Sequence, residues 1–318
     1  MNCSQDKLIS MSCPERGACR LSRRMFGVAL TGAIVIGPAQ AAPAVNGFSI
    51  SLAEWSLNRS LSSNVINYLD IPKLARTRLR ITALEHVSEL WPRAPTDRDF
   101  VRELKTRRDG EGVRSLVMMR GHDHILGHAD ADRRHLAIED MKPWLDVAAE
   151  LGCHSLRVFA LSTGNTLMER LETTASALHN LCALAKPLGL NILVENHNGN
   201  SSQVEWLMAV INRVEADNIG TLPDFGNWNV GDTSFPIMRD RYAGVAGMMP
   251  RARAVSAKAF TFDRTGAEMT TDYLRMMRIV AAAGYRGRIG IEYEGDNPDE
   301  FAGILATRDL LTSVFARL

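Results

Sequence analysis

Almost no net charge remains when the 37 Lys and Arg of this chain are set against its 36 Asp and Glu, a formal +1. That absence excludes the broad basic field with which a protein gathers nucleic acid or an anionic membrane, and leaves a small neutral substrate as the natural partner. Cysteine is scarce as well. Three of the five, Cys3, Cys13 and Cys19, lie near the N-terminus. Cys153 and Cys182 show no C-x-x-C spacing and sit in apolar contexts, so they read as buried free thiols, not a disulfide framework or a thiolate metal site. No low-complexity tract, Pro- or Ser-rich linker or charge block divides the chain after residue 41, which predicts one domain.

Long apolar runs are also missing. The uncharged stretch from Met25 to Gln40 carries three Gly and a Pro and falls short of the roughly 20 apolar residues of a membrane span. Lys7, Arg16, Arg20, Arg23 and Arg24 precede it against Asp6 and Glu15, and Ala39-Gln40-Ala41 follows in the A-x-A pattern of a cleavage site. Ser22-Arg23-Arg24-Met25-Phe26 resembles a twin-arginine export signal. Residues 1–41 are therefore expected to be an export leader, and residues 42–318 a periplasmic or otherwise exported domain; a membrane anchor is the alternative. Loss of five basic and two acidic residues with the leader takes the charge from +1 to −2.

In the remaining chain, short β-rich runs alternate with longer amphipathic ones. Strands are expected at Phe48 to Ala53, Leu79 to Leu84, Ser115 to Met119, Ser155 to Phe159, Asn191 to Val194, Gly220 to Asp224, Ala254 to Ala259 and Arg288 to Tyr293. Between them, Arg133 to Leu151 repeats apolar residues at spacings of three and four and stops at Gly152, and Leu167 to Gly189 and Thr271 to Gly284 repeat the design. Eight strand-helix units in about 277 residues predict an α/β fold of the closed (β/α)8 TIM-barrel type. An open doubly wound sheet is the runner-up, but no G-x-G-x-x-G follows the first strand.

In such a barrel the chemistry sits at the C-terminal ends of the strands, so a polar residue that closes an apolar strand is the signal. Glu195 closes the fifth strand with His197 on the same face, and Asp224 closes the sixth. Ser256 and Lys258 share a face of the seventh, as Glu292 and Glu294 do on the eighth. Carboxylates converging on one mouth repel one another, and a divalent cation resolves the repulsion. An oxygen-rich ligand set of Glu195, Asp224 and Glu292 suits Mn²⁺ or Mg²⁺ more than Zn²⁺, with open positions for the vicinal oxygens of a sugar. Strand-end salt bridges are the bland alternative.

The order Glu195, Asp224, Lys258, Glu292 resembles the sugar phosphate isomerase/epimerase family, which has a xylose isomerase-like barrel. The resemblance runs from about Phe48 to the C-terminus, through ENHNGNSS from Glu195, LPDFGNW from Leu222, AVSAKAFTFD from Ala254 and GYRGRIGIEYEG from Gly284. It implies one divalent metal held by Glu, Asp, His and Glu, with the two glutamates as an acid/base pair. Glu195, Asp224 and Glu292 match. The histidine of the family's H-x-K run is Ser256 here, and the histidine of its D-x-x-H run is Asn227, so both imidazoles are replaced. His197 is then the nominee for a substitute ligand or a substrate contact.

Other residues are expected around the mouth: Glu85 and His86 after the second strand, His122 with Asp123 and His124 after the third, and Trp55, Trp91 and Trp228 as flat faces for a sugar ring. Arg157, inside the fourth strand, calls for a carboxylate or a substrate as partner. The resulting expectation is an exported sugar isomerase or epimerase acting on an unphosphorylated carbohydrate by proton abstraction next to a carbonyl. Glu195 and Glu292 would be base and acid, Lys258 would polarise a substrate oxygen, and a metal would assist. Alternatives are a keto-sugar lyase, a glycosidase using the same two glutamates, and a non-catalytic sugar-binding barrel; homo-oligomerisation is left open. Multi-zinc phosphoesterase chemistry is disfavoured by the lack of strand-end histidines.

Overall fold

Short runs of β-branched and aliphatic residues, each followed by a polar turn, make the strands of one parallel sheet: β1 Phe48–Ala53, β2 Ala83–Val87, β3 Arg114–Met119, β4 Ser155–Phe159, β5 Asn191–Glu195, β6 Ile219–Leu222, β7 Ser256–Ala259 and β8 Gly287–Tyr293. The computed structural model describes residues 44–121, 125–228 and 240–318; the expected leader lies outside them. Strand order is β6-β5-β4-β3-β2-β1-β8-β7. Isolated parallel bridges Thr221↔Ala252 and Asp224↔Ser256 join the two end strands. There Ser256 N–H donates to Pro223 O at 2.9 Å and Phe225 N–H donates to Ser256 O at 3.1 Å. This seam closes the (β/α)8 barrel and brings Asp224 against Ser256.

Helices follow the strands: α1 Asn58–Ser62 and α2 Ile71–Leu74 after β1, α3 Arg98–Gly110, α4 Ala131–Glu150, α5 Leu167–Ala185, α6 Val204–Arg213, α7 Arg241–Met248, α8 Tyr273–Ala282 and α9 Glu300–Phe315. Their N-termini are fixed by side-chain oxygens. Asp97, Asp130, Thr166, Asp240, Asp272 and Asp299 each accept a hydrogen bond from a first-turn N–H. The expected stop at Gly152 is observed: its φ of 71° is a left-handed conformation that glycine adopts without penalty. No helix among the described residues is long and apolar enough to cross a membrane.

Alternate residues of each strand face opposite sides, which divides the core in two. Met118 belongs to the large cluster beneath the helices, whereas Val117 and Met119 join Ala53, Val87, Leu193, Leu222 and Ala254 in a separate inner cluster. All eight expected strands are present, but the second is displaced. Leu79 ends a helical turn, Arg80 takes a left-handed φ of 57°, and the strand begins only at Ala83. Leu79 and Ile81 are buried all the same, as the end of a helix and a connector, because a short apolar run serves a strand or a buried turn equally well. Glu85 consequently sits inside β2 and does not close it.

Candidate active site

The carboxylates of Glu195, Asp224 and Glu292 meet at the C-terminal end of the barrel. One oxygen from each lies within 4.8 Å of the others, and all three residues are buried. β5 delivers Glu195, the closing seam delivers Asp224, and β8 delivers Glu292. Asn227 Nδ2 donates to Glu195 Oε1 at 2.8 Å, and Arg157 Nε stands 2.9 Å from Glu195 Oε2. Arg157 thus has the carboxylate partner expected for a charge inside β4. The pair is an ion contact without hydrogen-bond alignment, so the buried Oε2 accepts no hydrogen bond.

Asp224 is held tightly. Its Oδ1 accepts from the N–H of Gly226 at 2.8 Å and of Asn227 at 2.7 Å, while Ser256 Oγ lies 2.5 Å from Oδ2. The same hydroxyl lies 3.0 Å from Glu292 Oε2. A serine has one proton to give, so it serves one of these carboxylates, and the second contact calls for a proton or a cation between the oxygens. Lys258 Nζ sits 3.6 Å from Glu292 Oε1 and 3.1 Å from Glu294 Oε1. Burial works against its charge, but Glu292, Asp224, Glu294 and Glu195 outweigh burial and hold the ammonium above its ordinary range.

Above these groups is a cavity of about 250 Å³ lined by Trp55, Val87, Glu89, Arg157, Phe159, Glu195, His197, Glu292 and Glu294. Pockets for drug-sized ligands run from about 300 to 1,000 Å³, so this one suits a single sugar ring. His197 packs its ring on Phe159, with centroids 4.2 Å apart, and lines the wall; it is not part of the carboxylate group. Trp55 is on the wall too.

Five further nominated residues lie away from the cavity wall. Trp228 is buried, donates Nε1–H to Asp224 O at 2.9 Å and packs against the Cα of Gly244 in α7, so it braces the seam and presents no face to the cavity. Trp91 is clustered with Tyr68, Phe100 and Trp144. His86 points to the outer side of β2, where its ring nitrogens meet Glu54 at 2.8 Å and Ser115 at 2.6 Å. Glu85 is below the cavity floor, accepting from Ser51 Oγ at 2.6 Å. Lys258 does not line the cavity either; it supports Glu292 and Glu294 from beneath. His122, with Asp123 and His124, lies outside the described residues.

Asn196 was not singled out from the sequence. Its Nδ2 donates to the carbonyls of Asp224 at 3.2 Å and Asn227 at 3.3 Å, and its Oδ1 accepts from Asp224 N–H at 2.8 Å. It ties the end of β5 to the turn that carries Asp224. An Asn directly after a strand-end Glu was the available signal.

Glu85 depends on Gly290, one inward layer below Glu292. A Cβ at position 290 would lie 2.5 Å from Glu85 Oε1. Gly290→Ala should therefore cost about 1–3 kcal/mol of stability, measured as a lowered urea midpoint; an unchanged midpoint would show that Glu85 yields freely.

Burial pushes Glu195 up to about 8, against Arg157 and with help from Glu292 and Asp224. Burial likewise pushes Glu85 up to about 7 and Asp224 up to about 6. Carboxyls that bind protons more tightly folded than unfolded contribute stability below their unfolded values near 4, and that contribution is lost as pH rises through about 6 to 8. In chelator, the melting temperature is expected to fall from pH 5 to pH 8.5, and Mg²⁺ should flatten the decline; a rising profile would contradict this electrostatic picture.

A family model described as Xylose isomerase-like TIM barrel matches residues 81–313. The chain belongs to that family. Solved structures of similar fold include an L-ribulose 3-epimerase, 15% identical over 84% of this chain and 95% of the other, with a TM-score of 0.66. A 3-keto-D-glucoside 4-epimerase from E. coli is 14% identical over 84% and 98%, with a TM-score of 0.61. A xylose isomerase-like TIM barrel protein from Mycobacterium smegmatis, in complex with magnesium, is 15% identical over 79% and 88%, with a TM-score of 0.60. At these identities the likeness establishes the shared barrel. No curated protein matches the sequence.

The residues present fit a divalent cation. Three buried carboxylates supply oxygen donors, and the hydroxyl of Ser256 is shared between two anions.

Proposed function

We propose that this chain is an exported sugar isomerase or epimerase that removes and returns a proton on a carbon next to a carbonyl of an unphosphorylated carbohydrate. The observation that carries the reading is the meeting of Glu195, Asp224 and Glu292, the two glutamates of which line a cavity sized for one sugar ring. The epimerase activities named for structures of similar fold support it. Export rests on the leader sequence alone and places the substrate outside the cytoplasm, where sugar phosphates are scarce. The lining agrees: Glu89, Glu195, Glu292 and Glu294 face one arginine, and that arginine is already paired with Glu195. Among the described residues no unpaired cation lines the cavity to take a phosphate.

Glu195 and Glu292 are the base and acid. Both line the cavity, on strands β5 and β8, and so approach a bound ring from different sides. Asn227 and Arg157 fix the Glu195 carboxylate, and Lys258 holds Glu292 from below. An α-proton of a ketose is far too weakly acidic for a carboxylate in water, so electrophilic help is required. A Mg²⁺ or Mn²⁺ held by Glu195, Asp224 and Glu292 would supply it as a Lewis acid toward the substrate's carbonyl and hydroxyl oxygens. Trp55 offers an apolar face to the ring, and His197 a polar edge at the wall.

One oxygen of Glu195 and one of Glu292 lie within 4.8 Å of each other, short of the roughly 6.5–9.5 Å of an inverting glycosidase but near the roughly 5–5.5 Å of a retaining one, so a hydrolysed glycoside among the products would reassign the protein as a retaining glycosidase. The test is product analysis by NMR after incubation with unphosphorylated ketoses and keto-glycosides in Mg²⁺ or Mn²⁺. An isomer or epimer supports the reading, and an unsaturated product reassigns the protein as a lyase. Sugar binding without any product would make it a binding barrel.

A further inference from the structure

The group around Asp224 contains a donor that the three carboxylates do not account for. We propose that the Ser256 hydroxyl is the fourth protein ligand of the cation, so that position 256 sets the preference of the centre for hard over borderline divalent metals. The inference rests on the metal reading above and goes beyond it in assigning ligation and selectivity to one residue.

In an octahedral Mg²⁺ site the ligand oxygens are about 2.0–2.1 Å from the ion, so neighbouring oxygens are about 2.8–3.0 Å apart and opposite ones about 4.0–4.2 Å. Ser256 Oγ lies 2.5 Å from Asp224 Oδ2 and 3.0 Å from Glu292 Oε2, close to the neighbouring spacing, and the three carboxylate donors span no more than 4.8 Å. A neutral hydroxyl on Mg²⁺ is established chemistry, as in the Ser or Thr of nucleotide-binding P-loops. The backbone is committed as well: Ser256 N–H and C=O both bond across the β6/β7 seam, so the position of Oγ is set by barrel closure.

Lys258, two residues on, brings an ammonium to Glu292 and Glu294 and offers no lone pair. His197 lies against Phe159 with Nδ1 3.2 Å from Asn198 Nδ2, and both nitrogens of His86 are engaged on the outer side of β2. Among the described residues the centre is therefore oxygen-only. Carboxylate and hydroxyl oxygens suit Mg²⁺ and Mn²⁺, whereas a nitrogen or sulfur donor raises affinity for Zn²⁺ and Co²⁺.

The test is Ser256→Cys in the full chain, a nearly isosteric change that replaces a hard donor by a soft one. Titration calorimetry with Mg²⁺, Mn²⁺ and Zn²⁺ is combined with absorption spectra of the Co²⁺-loaded protein, with the wild type as baseline. The variant is expected to bind Zn²⁺ at least about tenfold more tightly than wild type, to gain nothing for Mg²⁺, and to show a thiolate-to-cobalt charge-transfer band that wild type lacks. Ser256→His, titrated in parallel, should shift the Zn²⁺ to Mg²⁺ affinity ratio in the same direction and keeps the test decisive if the cysteine variant misfolds. An unchanged ratio with no new band puts position 256 off the metal and overturns the inference. Failure of the wild type to bind Mg²⁺ or Mn²⁺ is a separate result and removes the metal reading beneath it.

Discussion

Glu195→Gln is expected to lower the rate of α-proton removal by about 10²–10⁴, the usual contribution of a positioned general base or acid, while leaving the barrel folded. The amide has the size of the carboxylate, and its oxygen can go on accepting from a donor where Asn227 Nδ2 now donates to the carboxylate at 2.8 Å. Loss of one charge relieves the crowding of Glu195 by Glu292 and Asp224 but takes the carboxylate from the buried Arg157, so the two effects oppose and the melting temperature at pH 8 should change little. Single-turnover kinetics on whichever keto-sugar proves to be the substrate, with a melting curve beside it, checks both halves. A variant that keeps more than a tenth of the wild-type rate would remove Glu195 from the acid/base pair.

The largest effect on stability is expected at Lys258. Its ammonium is buried and is the only cation in contact with Glu292 and Glu294 among the described residues. Gly226 leaves room for it, since a Cβ there would lie 2.9 Å from the lysine stem. Lys258→Met keeps the stem's volume and removes the charge, leaving buried carboxylates uncompensated at a cost of about 3–5 kcal/mol. The loss should be measurable by urea unfolding in chelator at pH 8. Because the deficit is one of positive charge, Mg²⁺ should restore part of it, and so should lowering the pH toward 5, below the values to which burial pushes the neighbouring Glu195 and Asp224. A loss below about 1 kcal/mol, or one indifferent to both treatments, would show that Lys258 acts only through packing.

The strand-end glutamates were legible because an apolar strand that stops on a charged residue has one economical explanation in a parallel barrel, a side chain at the C-terminal mouth. Asp224 was legible for the same reason, although its meeting with Ser256 was not. That contact is made by the seam between β6 and β7, a long-range feature no local pattern encodes. Trp228 shows the opposite failure. It follows a strand end as Trp55 does, but Pro223 ends β6 and the turn sends Trp228 outward beneath α7, so sequence adjacency to the mouth did not determine the face.

Glu85 was misplaced by a register error. The apolar residues Leu79 and Ile81 looked like the beginning of the second strand; with the strand beginning at Ala83, Glu85 falls one layer below the cavity, where Gly290 and Ser51 leave it space and a donor. The clamp made by Asn196 escaped notice because an amide that bonds to backbone atoms near and far has no periodic signature. The buried group of Glu54, His86, Ser115 and Arg108 was equally invisible, since it joins side chains from four separate segments on the outer face of β2 and β3.

Proton exchange tests the central claim most directly, because isomerisation, epimerisation and elimination all pass through the same proton abstraction. Unphosphorylated ketoses and keto-glycosides are incubated in D₂O with Mg²⁺ and the wild-type protein, and the C–H signals next to the carbonyl are followed by NMR. The account predicts that one class of keto-sugar loses such a signal at a rate proportional to enzyme, that chelator stops the loss, and that Glu195→Gln slows it by at least about a hundredfold. Exchange that proceeds equally well in chelator and in the Glu195 variant would contradict it.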